Sequence, residues 1–362
     1  MPFPFLYSTS QTILLISYKL ICMAFCSARG LIFDKNLLLA MFICISLLSY
    51  ADSDPGGILR QIPAKDLSFL LLNKSDEPLG DFQSITIPLK RAGRLFLIEA
   101  RIDDQVGNLI FDTGASGLVL NRTYFRKYAA TAKPGGSGVT GSFDKVLRIV
   151  VKRIDISELY YEDVAADIAD LGHIEDRRGV KILGLFGINM IDNFEVVFDA
   201  NNNELQLTRI DKQGNRLISG QPELKFDFLQ KLETRNNILL VKGTIGDKTL
   251  NFCLDTGAET NVISSSVSKK VLSTIQINRR SNLGGASSRS VEVLSGTMRE
   301  FESGSHQFGS METIITNLDA MSEAYGCSID GMLGYDFWQK GVFCFNFGKN
   351  EFRFSIWKGD KK

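Results

Sequence analysis

Two aspartates stand in the same four-residue setting, Asp112-Thr113-Gly114-Ala115 and Asp255-Thr256-Gly257-Ala258. Each tetrapeptide ends one apolar run and opens another. Asn108-Leu109-Ile110-Phe111 leads to Leu118-Val119-Leu120, and Asn251-Phe252-Cys253-Leu254 leads to Val262-Ile263. One Asp in a tight Thr-Gly turn between buried strands is an ordinary feature. Two of them, 143 residues apart, allow two carboxyl groups to meet face to face. Like charges about 3 Å apart cannot both ionise, so such a pair shares one proton. The ionised member takes a proton from a water held between them, and the protonated member hydrogen-bonds the carbonyl under attack. Acid–base help of this kind is worth roughly 10²–10⁴-fold in rate. The pair titrates as a unit, so the sequence assigns the proton to neither Asp112 nor Asp255.

The elements that must position the pair are themselves duplicated. Glu99–Ala115 lies on Lys242–Ala258 without a gap, each reading as an apolar strand, a polar turn and a strand that runs into the Asp. The turns are Asp103-Asp104-Gln105 and Gly246-Asp247-Lys248. Farther on, Gly138–Val146 overlies Asn282–Ser290, each a Gly-bearing turn between extended segments. Gly184-Leu185-Phe186-Gly187 then matches Gly331-Met332-Leu333-Gly334, and Val196–Leu207 matches Phe343–Phe354 as a second hairpin. The spacing drifts only from 143 to 147 across these matches, which makes the chain an internal repeat of two copies of about 115 residues.

On these residues the chain resembles the aspartic peptidases of the pepsin and retropepsin group. The two DTGA turns carry the resemblance, with the triplets Leu185-Phe186-Gly187 and Met332-Leu333-Gly334 and the hairpin around Phe198–Asn202. The run DTGAETNVIS is closer to retropepsins and their bacterial relatives, whereas two lobes in one polypeptide follow the pepsin plan. The resemblance covers roughly residues 84 to 356. It implies an all-β, two-lobed acid-protease-like β-barrel fold, with lobes at 84–210 and 235–357 joined by a polar connection at 211–234. It implies Asp112 and Asp255 as catalytic acids, with Thr113 and Thr256 hydrogen-bonded across to the opposite loop. Gly114 and Gly257 would let backbone amides approach the carboxylates. Flap segments over the substrate would include Gly138, Thr140 and Gly141 in one lobe and Gly284 and Gly285 in the other. The expected activity is endopeptidase hydrolysis of a peptide or protein by a monomer that needs no cofactor or metal. The alternative is an inactive two-lobed module that holds peptides or a partner protein. The intact Asp-Thr-Gly turns favour the enzyme, because binding alone requires neither acid.

Composition agrees with that architecture. Abundant Phe (25) and Gly (32) between short apolar runs favour strands and turns, with short helices expected only at Arg122–Ala130 and Ser265–Leu272. Lys plus Arg equal Asp plus Glu at 41 each, without basic clusters, which argues against nucleic acid as a partner. Only His173 and His306 are present, so a His-rich metal site is excluded and neither residue is expected to be catalytic. His173 reads as part of a solvated charged loop and His306 as part of a hairpin turn. Ser116 and Glu259 follow the two DTGA turns and differ between the copies.

The first fifty residues differ in kind. The apolar run Leu37–Leu48 follows Lys35 and ends at Ser49-Tyr50-Ala51, small residues at the two positions that a signal peptidase reads. Residues 1–51 therefore read as a secretory signal, with Met23 as a second start, or as an uncleaved membrane tether. The former implies a secreted or periplasmic protein. Residues 52–83 read as an extension that joins the sheet. Of the cysteines beyond the leader, Cys253 reads as a small buried side chain, and Cys327 and Cys344 are the pair available for a disulfide.

Overall fold

The computed structural model describes residues 77–357, apart from 135–136, 139–140, 143–144, 219, 221–223 and 285–289. The leader at 1–51, the extension up to residue 76, Thr140 and Gly285 lie outside the described residues. Among the described residues no helix is long and apolar enough to cross a membrane.

Period-two burial builds the strands. In Ser84–Ala92 the side chains of Ile85, Ile87 and Leu89 are buried, while Thr86, Pro88 and Lys90 between them are exposed. Six antiparallel strands form a central sheet in the order Phe228–Lys231, Glu351–Ile356, Gly341–Asn346, Phe194–Asp199, Glu204–Arg209 and Ser84–Ala92. At its middle Phe198 pairs with Phe343, and Val196 pairs with Phe345. With the 147-residue offset each of these pairs is the repeat of the other, as a local two-fold axis requires. The sheet continues into the first lobe, where Leu95–Ile102 also pairs with Lys145–Ile156 and curls the strands toward closure.

Both lobes use one strand plan around the Asp turn. Ile182–Phe186 runs parallel to Gln105–Phe111 and antiparallel to Val119–Asn121. Gly331–Leu333 stands in the same relation to Lys248–Leu254 and Asn261–Ser264. A third strand thus locks the two arms of each turn into one sheet. Rings tie the lobes to the central sheet, with Phe198 stacked edge-on against Phe111 at 5.4 Å and Trp338 at 5.6 Å between centroids.

The helices differ from the sequence reading. The first spans only Arg122–Phe125, with Phe125 as its one buried side chain. The other expected helix falls at Lys269–Thr274, after Ser268 accepts from the Val271 N–H as its N-cap. His173 lies in a helix, Gly172–Arg178, rather than in a loop. Tertiary partners fix that segment: the Glu175 carboxylate accepts from the Tyr124 hydroxyl and from Ile182 N, and Gly179 ends the helix in the left-handed region. The equivalent helix of the second copy, Asp319–Tyr325, ends at Gly326 in the same way. His306 does sit beside a tight turn, after Gly304-Ser305. Part of the connection at 211–234 is itself a strand, Phe228–Lys231, paired with Glu351–Ile356. Leu79 forms a bridge with Tyr160, which joins the end of the extension to the first lobe. Cys327 and Cys344 form no disulfide: the first is half-buried against the second lobe, and the second, buried in the central sheet, accepts from Arg353 Nη2 at 3.4 Å.

Candidate active site

The strand plan brings the two DTGA turns together at the seam between the lobes. The amide of Asp112 donates to Phe186 O at 3.1 Å and that of Asp255 to Leu333 O at 3.0 Å, so each apolar-apolar-Gly strand holds its own turn. Two buried threonines then join the turns. Thr113 N donates to Thr256 Oγ1 and Thr256 N to Thr113 Oγ1, both at 3.0 Å. Each hydroxyl in turn donates across the seam, Thr113 to Leu254 O at 2.9 Å and Thr256 to Phe111 O at 2.8 Å. All four bonds are buried, and every donor and acceptor in the square is used.

The carboxyl groups lie over that square. Gly114 N donates to Asp112 Oδ1 at 2.9 Å and Gly257 N to Asp255 Oδ1 at 2.8 Å. Each glycine also lies against the carboxyl of the opposite turn: a Cβ on Gly114 would sit 2.6 Å from Asp255 Cγ, and one on Gly257 2.6 Å from Asp112 Cγ. No side chain fits there. Burial pushes the Asp112 carboxyl above the usual range, opposed by the Gly114 amide and a hydrogen bond with Asp255. Asp255 is driven well above it, first by burial and then by the charge and hydrogen bond of Asp112. The pair therefore holds on to a shared proton to higher pH than two isolated carboxyls would.

Of the flap residues expected from sequence, the backbone places Gly138 and Gly141 opposite each other in a hairpin of Ser137–Gly138 with Gly141–Ser142. Its first strand has Cα atoms within 8 Å of the helix Asp319–Tyr325 in the other lobe. Gly284 pairs with Ser290 at the end of the equivalent hairpin. Among the described residues no cluster of three or more His, Cys, Asp or Glu side chains is arranged to hold a metal ion.

Several residues at the site carried no sequence signal. Trp338 Nε1 donates to Asp255 O at 3.0 Å, bracing the second turn from behind. Asn261 Oδ1 accepts from Gly334 N at 2.7 Å while its amide donates to Glu312 O at 3.0 Å. Beside the second turn, Arg178 of the first lobe pairs with Glu259, and Arg94 donates to Glu259 O at 3.1 Å and to Glu312 Oε2 at 2.8 Å. Only the asymmetry Ser116/Glu259 between the copies hinted at this bridge. Removing the guanidinium leaves Glu259 half-buried without its partner, so Arg178→Ala should cost about 1–3 kcal/mol of stability. Denaturant unfolding measures this; an unchanged midpoint would mean that the bridge is idle.

Residues 98–190 and 241–337, together more than half of the chain, match the model of the aspartyl protease family, and the chain belongs to that family. Both DTGA turns fall within the matched segments. Among solved structures it is similar to an aspartic proteinase from Irpex lacteus, at 12% identity and a TM-score of 0.47, over 77% of this chain and 98% of that one. No match was found among curated protein sequences.

Proposed function

We propose that this chain is an aspartic endopeptidase in which Asp112 and Asp255 together activate a water for attack on a peptide carbonyl. The observation that carries this reading is the reciprocal threonine square, which holds two carboxyls of raised proton affinity against each other. The ionised carboxylate takes a proton from the water, and the protonated one donates to the carbonyl oxygen as it becomes tetrahedral. Collapse of that intermediate breaks the C–N bond, with the amine leaving after protonation by the pair. An extended substrate would lie between the lobes under the hairpins at Ser137–Ser142 and Gln276–Met298, using main-chain pairing. Because one chain supplies both acids, the active unit is a monomer, and peptides or proteins rather than nucleic acids are its partners. The leader directs it out of the cytoplasm or tethers it to a membrane.

The test is cleavage of a denatured-protein or peptide library by the monomeric fraction, with and without a statine-type transition-state inhibitor. Cleavage that the inhibitor blocks is expected. Activity found only in a dimer fraction, or untouched by the inhibitor, would sink the reading. The rate should also be bell-shaped in pH: it falls at low pH when both carboxyls are protonated and at high pH when the shared proton leaves. The raised proton affinity of the pair moves the alkaline limb upward from the ordinary carboxylate range.

A further inference from the structure

The helix Asp319–Tyr325 reaches both the flap hairpin of the first lobe and the Asp255 turn of its own. It has Cα atoms within 8 Å of Ser137–Gly138. Its last residue, Tyr325, is half-buried and packs with Cys327 and Ala258 on an apolar cluster that includes Cys253 and Met332. Ala258 closes the second DTGA turn, Cys253 lies two residues before Asp255, and Met332 belongs to the strand that holds that turn. Burial, followed by the charges of Cys253, Asp255 and Asp112, pushes the Tyr325 phenol up to about 12. The ring therefore lies within the field of the aspartate pair and stays neutral.

The first copy has the same kind of floor and a different lip. The 143-residue offset sets Cys253 against Ile110 and Ala258 against Ala115. The 147-residue offset sets Met332 against Leu185, Cys327 against Val180 and Tyr325 against Arg178. Ile110, Leu185 and Val180 again share one apolar cluster, but Arg178 is paired with Glu259 across the seam. One flank of the aspartate pair thus ends in an aromatic ring and the other in an ion pair. Consecutive side chains of an extended substrate point to opposite faces, so the residues on either side of the cut bond meet different flanks.

Resting on the peptidase reading above, we propose that Tyr325 is a specificity-determining residue, its ring walling a subsite for one large uncharged side chain beside the cut bond. An ionised side chain would give up its water over a floor of apolar groups. An aliphatic one buries its surface there, and an aromatic one also gains a ring partner. The flank with Arg178 offers no such ring, so the preference set by Tyr325 is one-sided.

Cleavage of a peptide library randomised at the two positions flanking the cut bond tests the assignment, with wild type, Tyr325→Phe and Tyr325→Ala compared. Wild type should favour Phe, Leu or Met over Asp, Glu, Lys and Arg at one of the two positions. Tyr325→Phe should keep that preference. Tyr325→Ala should lower the ratio of kcat/KM for Phe over Ala at that position by about tenfold, the loss expected of one ring contact, and chiefly through KM. A ratio of two substrates on one variant does not depend on how much of that variant folds. Ratios equal in wild type and Tyr325→Ala, a shift at both positions alike, or a wild-type preference for charged residues at both would overturn the inference alone. A wild type that cleaves no peptide overturns the peptidase reading and this inference with it.

Discussion

Replacing Asp112 or Asp255 by Asn, one at a time, is expected to abolish peptide cleavage while leaving the fold intact. Asn keeps the size and most of the hydrogen-bonding capacity of Asp, so Gly114 N and Gly257 N retain their acceptors. It cannot cycle a proton. Since the two carboxyls act as one unit, the double variant should be scarcely slower than either single one. Stability should move the other way. Both carboxyls have folded proton affinities above the unfolded value, so their contribution is present below about pH 4 and is lost as pH rises through the folded range. An Asn variant escapes that loss, and its melting temperature should match wild type at low pH and equal or exceed it near neutrality. Cleavage and melting of all three variants decide the point. Near-normal turnover in either single variant, with an unchanged melting profile, would show that the shared pair is not the catalyst.

What the sequence made legible was whatever repeats at fixed spacing. The Asp turns, the apolar-apolar-Gly strands behind them and the paired hairpins each occur twice, and a pattern seen twice at one offset is hard to mistake. Helix boundaries were not legible, because Gly172–Arg178 has no buried face of its own and is held by the Ile182 amide just past its end and by Tyr124, which lies far along the chain. Nor was the contact between Arg178 and Glu259, since it crosses the lobes and has no counterpart in the other copy, where Ser116 and Tyr325 stand in their places. Pattern reasoning finds what the duplication preserved. Features that broke the symmetry needed coordinates.

The threonine square gives the second large effect, and it separates hydrogen bonding from packing. Thr256 Oγ1 accepts from Thr113 N and donates to Phe111 O, so Thr256→Ala strands a buried N–H and deprives a buried carbonyl of its partner. Each loss costs about 1–3 kcal/mol, hence roughly 2–6 kcal/mol together. Thr256→Val keeps the shape but not the hydroxyl, and should be about as damaging. Thr256→Ser keeps the hydroxyl and loses one methyl, which limits its cost to about 1 kcal/mol. The same order should hold at Thr113, whose bonds to Thr256 N and Leu254 O mirror these. Cleavage rates should follow stability, because this square directly joins the turns that carry Asp112 and Asp255. Denaturant unfolding and turnover of the Ala, Val and Ser variants supply the comparison. If Val behaves like Ser rather than like Ala, the turns are held by packing, and the reciprocal bonds are not what keeps the two carboxyls in register.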